Sequence, residues 1–446
     1  MRGPCLAALF LAVATAGCAH TPAGKVELSP RARAEQLIAS GESAKAIPLL
    51  QQLHTSAPED LEVARVLAEA QVKAGRSAPF QESLASLPPT ASRHFMRALV
   101  LFAQATDATP QALEQIDAAI ELAPRQAELH FRKGLMLLES EKFEASLPPL
   151  TRAHALAPER TGYLLPLAKA RARNADGKGA VEAIRLLIAS QPTPVQVETS
   201  RALMNELSDP YTRVPRAAEA RMEEGLGWLQ RYDAPQQAIV LFEDILSEFP
   251  DLAVVHALLG LAYQRLDDAG RAVDEFRQAI ALAPDHGRFH FYLAQLYLGR
   301  HRAEQARAEL EKAVALDPLL EEAHHKLGDL AFERRELDAS RHHFQTLVAL
   351  QPDSPPARGK LATLLQMQGD FAGAERHLRA VLEKDPENLE FSLRMGTLHT
   401  ERAQAAKSPQ ERTLSRTEAE EWLNKVLKVS PQNATASAAL EQLRKL

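Results

Sequence analysis

Seven histidines, His286, His290, His301, His324, His325, His342 and His343, crowd one stretch of this chain. Imidazole nitrogens bind zinc and other transition metals, and His286 with His290 has the i, i+4 spacing that puts two ligands on one helix face. A metal centre needs a third or fourth donor, and no carboxylate or cysteine completes an evident set nearby. His256, His290 and His324 also recur at equal intervals, which suits a packing position better than a ligand. No metal and no cofactor are therefore expected. Other chemistry is equally scarce. There is no phosphate-binding G-x-x-x-x-G-K-[ST] loop, no G-x-S-x-G elbow and no H-E-x-x-H. "DGKGA" at 176–180 has glycines and a lysine without the required spacing, and it falls where a turn is expected. Glu321 and Glu322 suit a solvated face, while Trp228 and Trp422 sit at core-type helical positions. No nucleophile, acid and base converge, so the sequence predicts no enzyme.

The chain must then act through surface and location. Lys and Arg total 52 against 58 Asp and Glu, a net charge of −6, with no basic stripe of the kind that tracks phosphates. Nucleic acid is not an expected partner. The 446 residues are 46% apolar but only 5% aromatic, which favours close-packed helices over a β-sandwich.

Both cysteines, Cys5 and Cys18, lie at the start, within "MRGPCLAALFLAVATAGCAH". One arginine, a short apolar run and then small residues follow the grammar of a signal peptide. "TAGC" resembles the lipobox of bacterial lipoproteins, with Thr15 standing where that motif usually has Leu. The resemblance implies cleavage after residue 17 and lipidation of Cys18. It also implies an outer-membrane address facing the periplasm, because Ala19 is not the Asp that retains such proteins in the inner membrane. Residues 18–29 form a tether reaching at most about 40 Å. Removal of residues 1–17 leaves Cys18 as the sole cysteine, so no intrachain disulfide is expected.

What must position any binding surface is written as punctuation. Prolines fall at Pro124, Pro158 and Pro192, then at Pro250, Pro284, Pro318, Pro352 and Pro386, in steps of 34 residues within each run. Proline lacks an N–H and disfavours helix just before it, so each one stops a helix. From His256 the chain reads "HALLGLAY", with Leu259, Gly260 and Tyr263; Ala272, Phe276 and Pro284 follow. These residues and the period resemble the tetratricopeptide repeat (TPR). The resemblance covers nearly the whole chain after the tether. It implies an all-α fold, a right-handed TPR superhelix of about 10–11 helix-turn-helix repeats. The eighth position of most repeats is Gly or Ala (Gly134, Ala168, Gly260, Ala294, Gly328, Ala362, Gly396), small enough for two helices to cross closely.

Counting from the prolines places an N-terminal array at 30–194, an irregular joint at 195–218, a C-terminal array at 219–434 and a capping helix at 435–446. "RAQAAKSPQERT", at 402–413, is an insertion between the helices of the last repeat. In the family, the first helices line a partner groove. Here that implies Gln264, Arg288, Phe291, Gln295, His325, Asp329, Phe332, Thr363 and Gln366, with Phe291 and Phe332 as apolar anchors. The expected function is a non-enzymatic adaptor or scaffold lipoprotein that assembles a cell-envelope complex for secretion, pili, motility or exopolysaccharide export. Its expected partners are proteins of that complex, together with the membrane through the lipid anchor. The alternative is a carbohydrate-binding or enzyme-regulating periplasmic lipoprotein of the same fold.

Overall fold

A computed structural model describes residues 28–104, 110–208 and 214–446, and it is all-α: among them there are 24 α-helices and no strand. The expected signal peptide, Cys18 and most of the expected tether lie outside the described residues. The chain divides into two compact units, one up to Ser190 and one from Gln191 onward.

The first unit runs α1 (Pro30–Ala39), α2 (Ser43–Ser56), α3 (Leu61–Lys73), α4 (Ser77–Ala85), α5 (Ala91–Gln104), α6 (Pro110–Leu122), α7 (Ala127–Glu139), α8 (Phe143–Leu156), α9 (Leu164–Arg173) and α10 (Gly177–Ala189). The second begins with α11 (Pro194–Ser208). It continues with α12 (Arg216–Gln230), α13 (Pro235–Glu248), α14 (Ala253–Arg265), α15 (Ala269–Leu282), α16 (Gly287–Gly299), α17 (Ala303–Leu316), α18 (Glu321–Glu333) and α19 (Leu337–Leu350). It ends with α20 (Pro355–Met367), α21 (Phe371–Leu382), α22 (Leu389–Ala405), α23 (Pro409–Val429) and α24 (Ala434–Arg444). Apart from α11, each helix packs mainly on its neighbours in sequence, as in a repeat array.

The turn inside each repeat has one recurrent conformation. Among the described residues its fifteenth position takes positive φ in nine repeats: at Gly41, Gly75 and Gly369, but also at Glu141, Ala175, Asp233, Asp267, His301 and Arg335. The next residue caps the second helix where it is Asp. Asp176, Asp268 and Asp370 accept hydrogen bonds from the N–H of Gly179, Arg271 and Gly373. That accounts for "DGKGA": it is a helix start.

Size matching fixes the crossing of the two helices. A Cβ on Gly260 would lie 2.7 Å from the Phe276 ring, and one on Gly328 would lie 2.8 Å from Phe344. Where the eighth residue is Ala294 or Ala362, the facing residue is the smaller Leu310 or Leu378.

One expectation is corrected. The insertion at 402–413 is no loop: α22 continues to Ala405, three residues turn, and α23 starts at Pro409. Its residues lengthen two helices, capped at Ser408, whose side chain accepts from Glu411 N–H. In the joint at 195–218 the sequence expects one helical stretch, "ETSRALMNEL", ahead of "SDPYTRVP", and a helix stands over that stretch. Thr193 and Gln196 make a capping box, Thr193 N–H to Gln196 Oε1 at 2.8 Å and Gln196 N–H to Thr193 Oγ1 at 3.4 Å, and Pro194 opens α11.

Candidate functional site

The histidines are brought together pairwise, as clasps rather than as a metal centre. The fourth residue of a repeat meets a residue nineteen further on, in the second helix. His256 Nδ1 lies 2.7 Å from Glu275, and His290 Nδ1 2.6 Å from Glu309. The other ring nitrogen often reaches the carbonyl of the proline that closed the preceding repeat. His130 to Pro124 and His256 to Pro250 are both 2.9 Å, and His324 to Pro318 is 3.2 Å. One side chain thus ties two repeats. His256 faces two acceptors and must donate from both nitrogens. Burial opposes its protonation, but the Glu275 hydrogen bond leads the opposing causes and its pKa is raised.

Repeat 321–354 breaks this pattern. His324 Nδ1 faces His343 Nδ1 at 3.1 Å, where the two preceding repeats supply a glutamate. His324 Nε2 must donate to the Pro318 carbonyl, so its Nδ1 accepts and His343 donates. Burial, and then the neighbouring imidazole, lower His324 to about 3. Burial and His342 lower His343 to about 4. Among the described residues, no group of three or more His, Cys, Asp or Glu could hold a metal ion. His301 sits in a turn with φ 57°, and His325 pairs with Asp329 at 3.0 Å.

The groove positions lie on first helices of the second unit. Gln264, Gln295, Phe332, Thr363 and Gln366 are half-buried and Arg288 is exposed. Phe291 is different: only 4% exposed, it packs with Ala294, Leu310 and Leu327 and offers no ring to a partner. Consecutive repeats are laced across this face. Arg288 reaches Glu322 at 3.9 Å, Lys360 reaches Asp329 at 3.0 Å, and Arg394 donates to the Gly359 carbonyl at 3.1 Å and to Thr363 at 3.4 Å. The Lys360 ammonium also lies 5.6 Å from the Phe332 ring. Lys360 and Arg394, both sixth residues of their repeats, were not anticipated. Their shared position and basic character were the available signal. The face therefore presents alternating charge, amides and one half-buried ring.

The first unit carries a denser polar cluster that sequence reasoning missed entirely. Arg160 reaches Glu62 at 2.9 Å and Glu128 at 3.3 Å, and the Tyr163 hydroxyl donates to Glu128 at 3.2 Å. Arg132, 1% exposed, holds the other Glu128 oxygen at 2.6 Å. Ninety-eight residues separate Arg160 from Glu62, so no local pattern announces the pair. Nearby in sequence, burial pushes Glu139 up to about 7 against the pull of Arg132 and Lys169.

One family model described as a tetratricopeptide repeat matches residues 37–94, 265–330 and 331–392, and a second of the same description matches 95–161. Together they cover more than half of the chain. No curated protein matches it. Among solved structures, YrrB, titled a TPR protein with an unusual peptide-binding site, is 18% identical, covering 46% of this chain and 98% of that one at TM-score 0.39. Pseudomonas aeruginosa pilF is 21% identical over 50% and 96%, also at 0.39. PilW, titled a type IV pilus biogenesis factor, is 18% identical over 51% and 100%, at 0.36. At these levels the likeness bears on neither partner nor process.

Proposed function

We propose that this chain, which belongs to the tetratricopeptide-repeat family, is a non-enzymatic adaptor that holds protein partners within a cell-envelope assembly. Proteins of this family mediate protein–protein interactions. The observation that carries the reading is the polar face along α16, α18, α20 and α22. Half-exposed side chains from successive repeats line up there as Gln295, Asp329 with Lys360, and Thr363 with Arg394. Such a face suits an extended or helical segment rich in charge and amide groups, with Phe332 as the one half-buried ring on offer.

The lipobox-like "TAGC" supports lipid attachment at Cys18 and an outer-membrane, periplasm-facing location. The assembly proposed is one for secretion, pili, motility or exopolysaccharide export. The test is photo-crosslinking from position 295 in native membranes, comparing wild type with Asp329→Lys and Cys18→Ser. Asp329→Lys places two ammonium groups together, and crosslinked partner should fall while the helical circular dichroism spectrum is kept. Cys18→Ser should leave the membrane fraction. Undiminished crosslinking by Asp329→Lys would remove the groove assignment, and full membrane retention of Cys18→Ser would remove the anchor.

A further inference from the structure

Links between repeats in the second unit are written with an acid after the proline: Pro250-Asp251, Pro284-Asp285, Pro352-Asp353 and Pro386-Glu387. All four acids are exposed. Pro318-Leu319 departs from them. Leu319 stands where the others have a carboxylate, and it is 5% exposed with Pro318 buried beside it. The second helix of the following repeat changes in step. Thr346 is buried where the equivalent Gln278 and Lys312 are exposed, and Leu350 is buried where the equivalent Leu282 and Leu316 are half-buried.

A helix far away in sequence lies beside this link. α11 packs on α19, and Arg201 of α11 reaches Glu321, two residues beyond Leu319, at 2.9 Å. Arg201 and Arg288 both act on the charge of half-buried Asp317, on the other side of the link. α11 buries Val197, Ser200, Leu203 and Met204, a stripe at helical spacing.

We propose that α11 is a latch: it occupies a helix-docking site at the Pro318-Leu319 link and undocks as a unit. α11 then alternates between pinned and free. A helix of this length is marginal by itself in water, so its order depends on docking. The docked face is imperfect, because the Ser200 hydroxyl is fully buried with no hydrogen-bond partner. The capping box at Thr193 and Gln196 keeps the released segment ready to re-form its first turn. The site selects an amphipathic helix that brings apolar residues to Leu319 and an arginine to Glu321.

Trypsin cleavage at Arg201 of the full chain reads the latch directly, since docking must be lost for the backbone to enter a protease. Leu319→Asp and Met204→Asp should each speed that cut by about tenfold or more, because cleavage tracks the open population. Ser200→Ala should slow it. A fluorescent peptide of residues 194–208 should bind Met204→Asp, whose site is intact and vacated, and should not bind Met204→Asp/Leu319→Asp. Wild-type cleavage rates in both Asp variants overturn the proposal. So does acceleration by Leu319→Asp alone, which would mean a damaged link, and so does peptide binding that ignores Leu319→Asp.

Discussion

His343→Glu should make this protein resistant to acid. In the wild type, His324 and His343 face each other as neutral rings lowered to about 3 and about 4 from 6.5. Both folded values lie below the free value, so the unfolded chain takes up protons first. Stability is therefore full above about pH 6.5 and falls as pH drops toward 4 and then 3. From pH 6.5 to 5 each ring costs about 2 kcal/mol, at about 1.36 kcal/mol per pH unit, or up to about 4 kcal/mol for the pair. A glutamate at 343 restores the partner seen as Glu275 and Glu309. The His324 pKa should then be raised like that of His256, and its contribution below pH 6.5 changes sign. Thermal unfolding at pH 7.5 and 5.0, followed by circular dichroism, gives a difference of differences in which other titrations cancel. For a unit of this size the gap between variant and wild type should widen by on the order of 8 °C at pH 5.0. Equal acid losses in the two proteins would refute the assignment of that lability to the paired rings.

Three other perturbations have worked signs. Gly328→Ala puts a methyl 2.8 Å from the Phe344 ring and should cost about 2 kcal/mol; Gly328→Ala/Phe344→Leu, which copies the Ala294 and Leu310 pairing, should recover part of that by denaturant midpoint. Glu139 is held above its usual range, so ionising it destabilises the first unit as pH rises through 4.5 to about 7. Glu139→Gln should therefore gain about 2 kcal/mol at pH 8 and close to nothing at pH 4.5, measured by urea unfolding. His301→Gly relieves a left-handed φ of 57° at an exposed turn and should raise stability by about 1 kcal/mol, whereas loss of stability would show that the imidazole has a structural task there.

Much of this architecture could be read beforehand because its causes are local and repeated. A proline every 34 residues, and small residues at Gly260 or Ala294 facing Phe276 or Leu310, depend only on one helix hairpin. The clasps were half visible: His256 and His290 were noticed as a recurrent position, but their glutamates nineteen residues on were not. The ion network of Glu62, Glu128 and Arg160 was invisible because the stacking of several repeats, and no spacing, brings its members together. The docking of α11 was hidden for a similar reason. The clue lay in Leu319 replacing an acid, yet an apolar residue in a link does not say which distant helix lies beside it. Among the groove positions, Phe291 shows that a family register fixes which helix a residue is on without fixing which way its ring turns.

The lengthened last hairpin has a consequence for how such arrays can grow. α22 has 17 residues where α14, α16, α18 and α20 have 13, and α23 has 21 where α15, α17 and α19 have 14. Four residues are close to one helical turn and seven are close to two, so neither helix rotates far about its axis. The Gly396 and Leu423 contact survives, and Ala403 and Ala419 stay fully buried. An added length that was not near a whole number of turns would swing the apolar stripe out of the interface. Extension at this edge is thus quantised: segments can be spliced in only at helical-turn multiples, and any such splice projects a rigid finger past the flank of the stack.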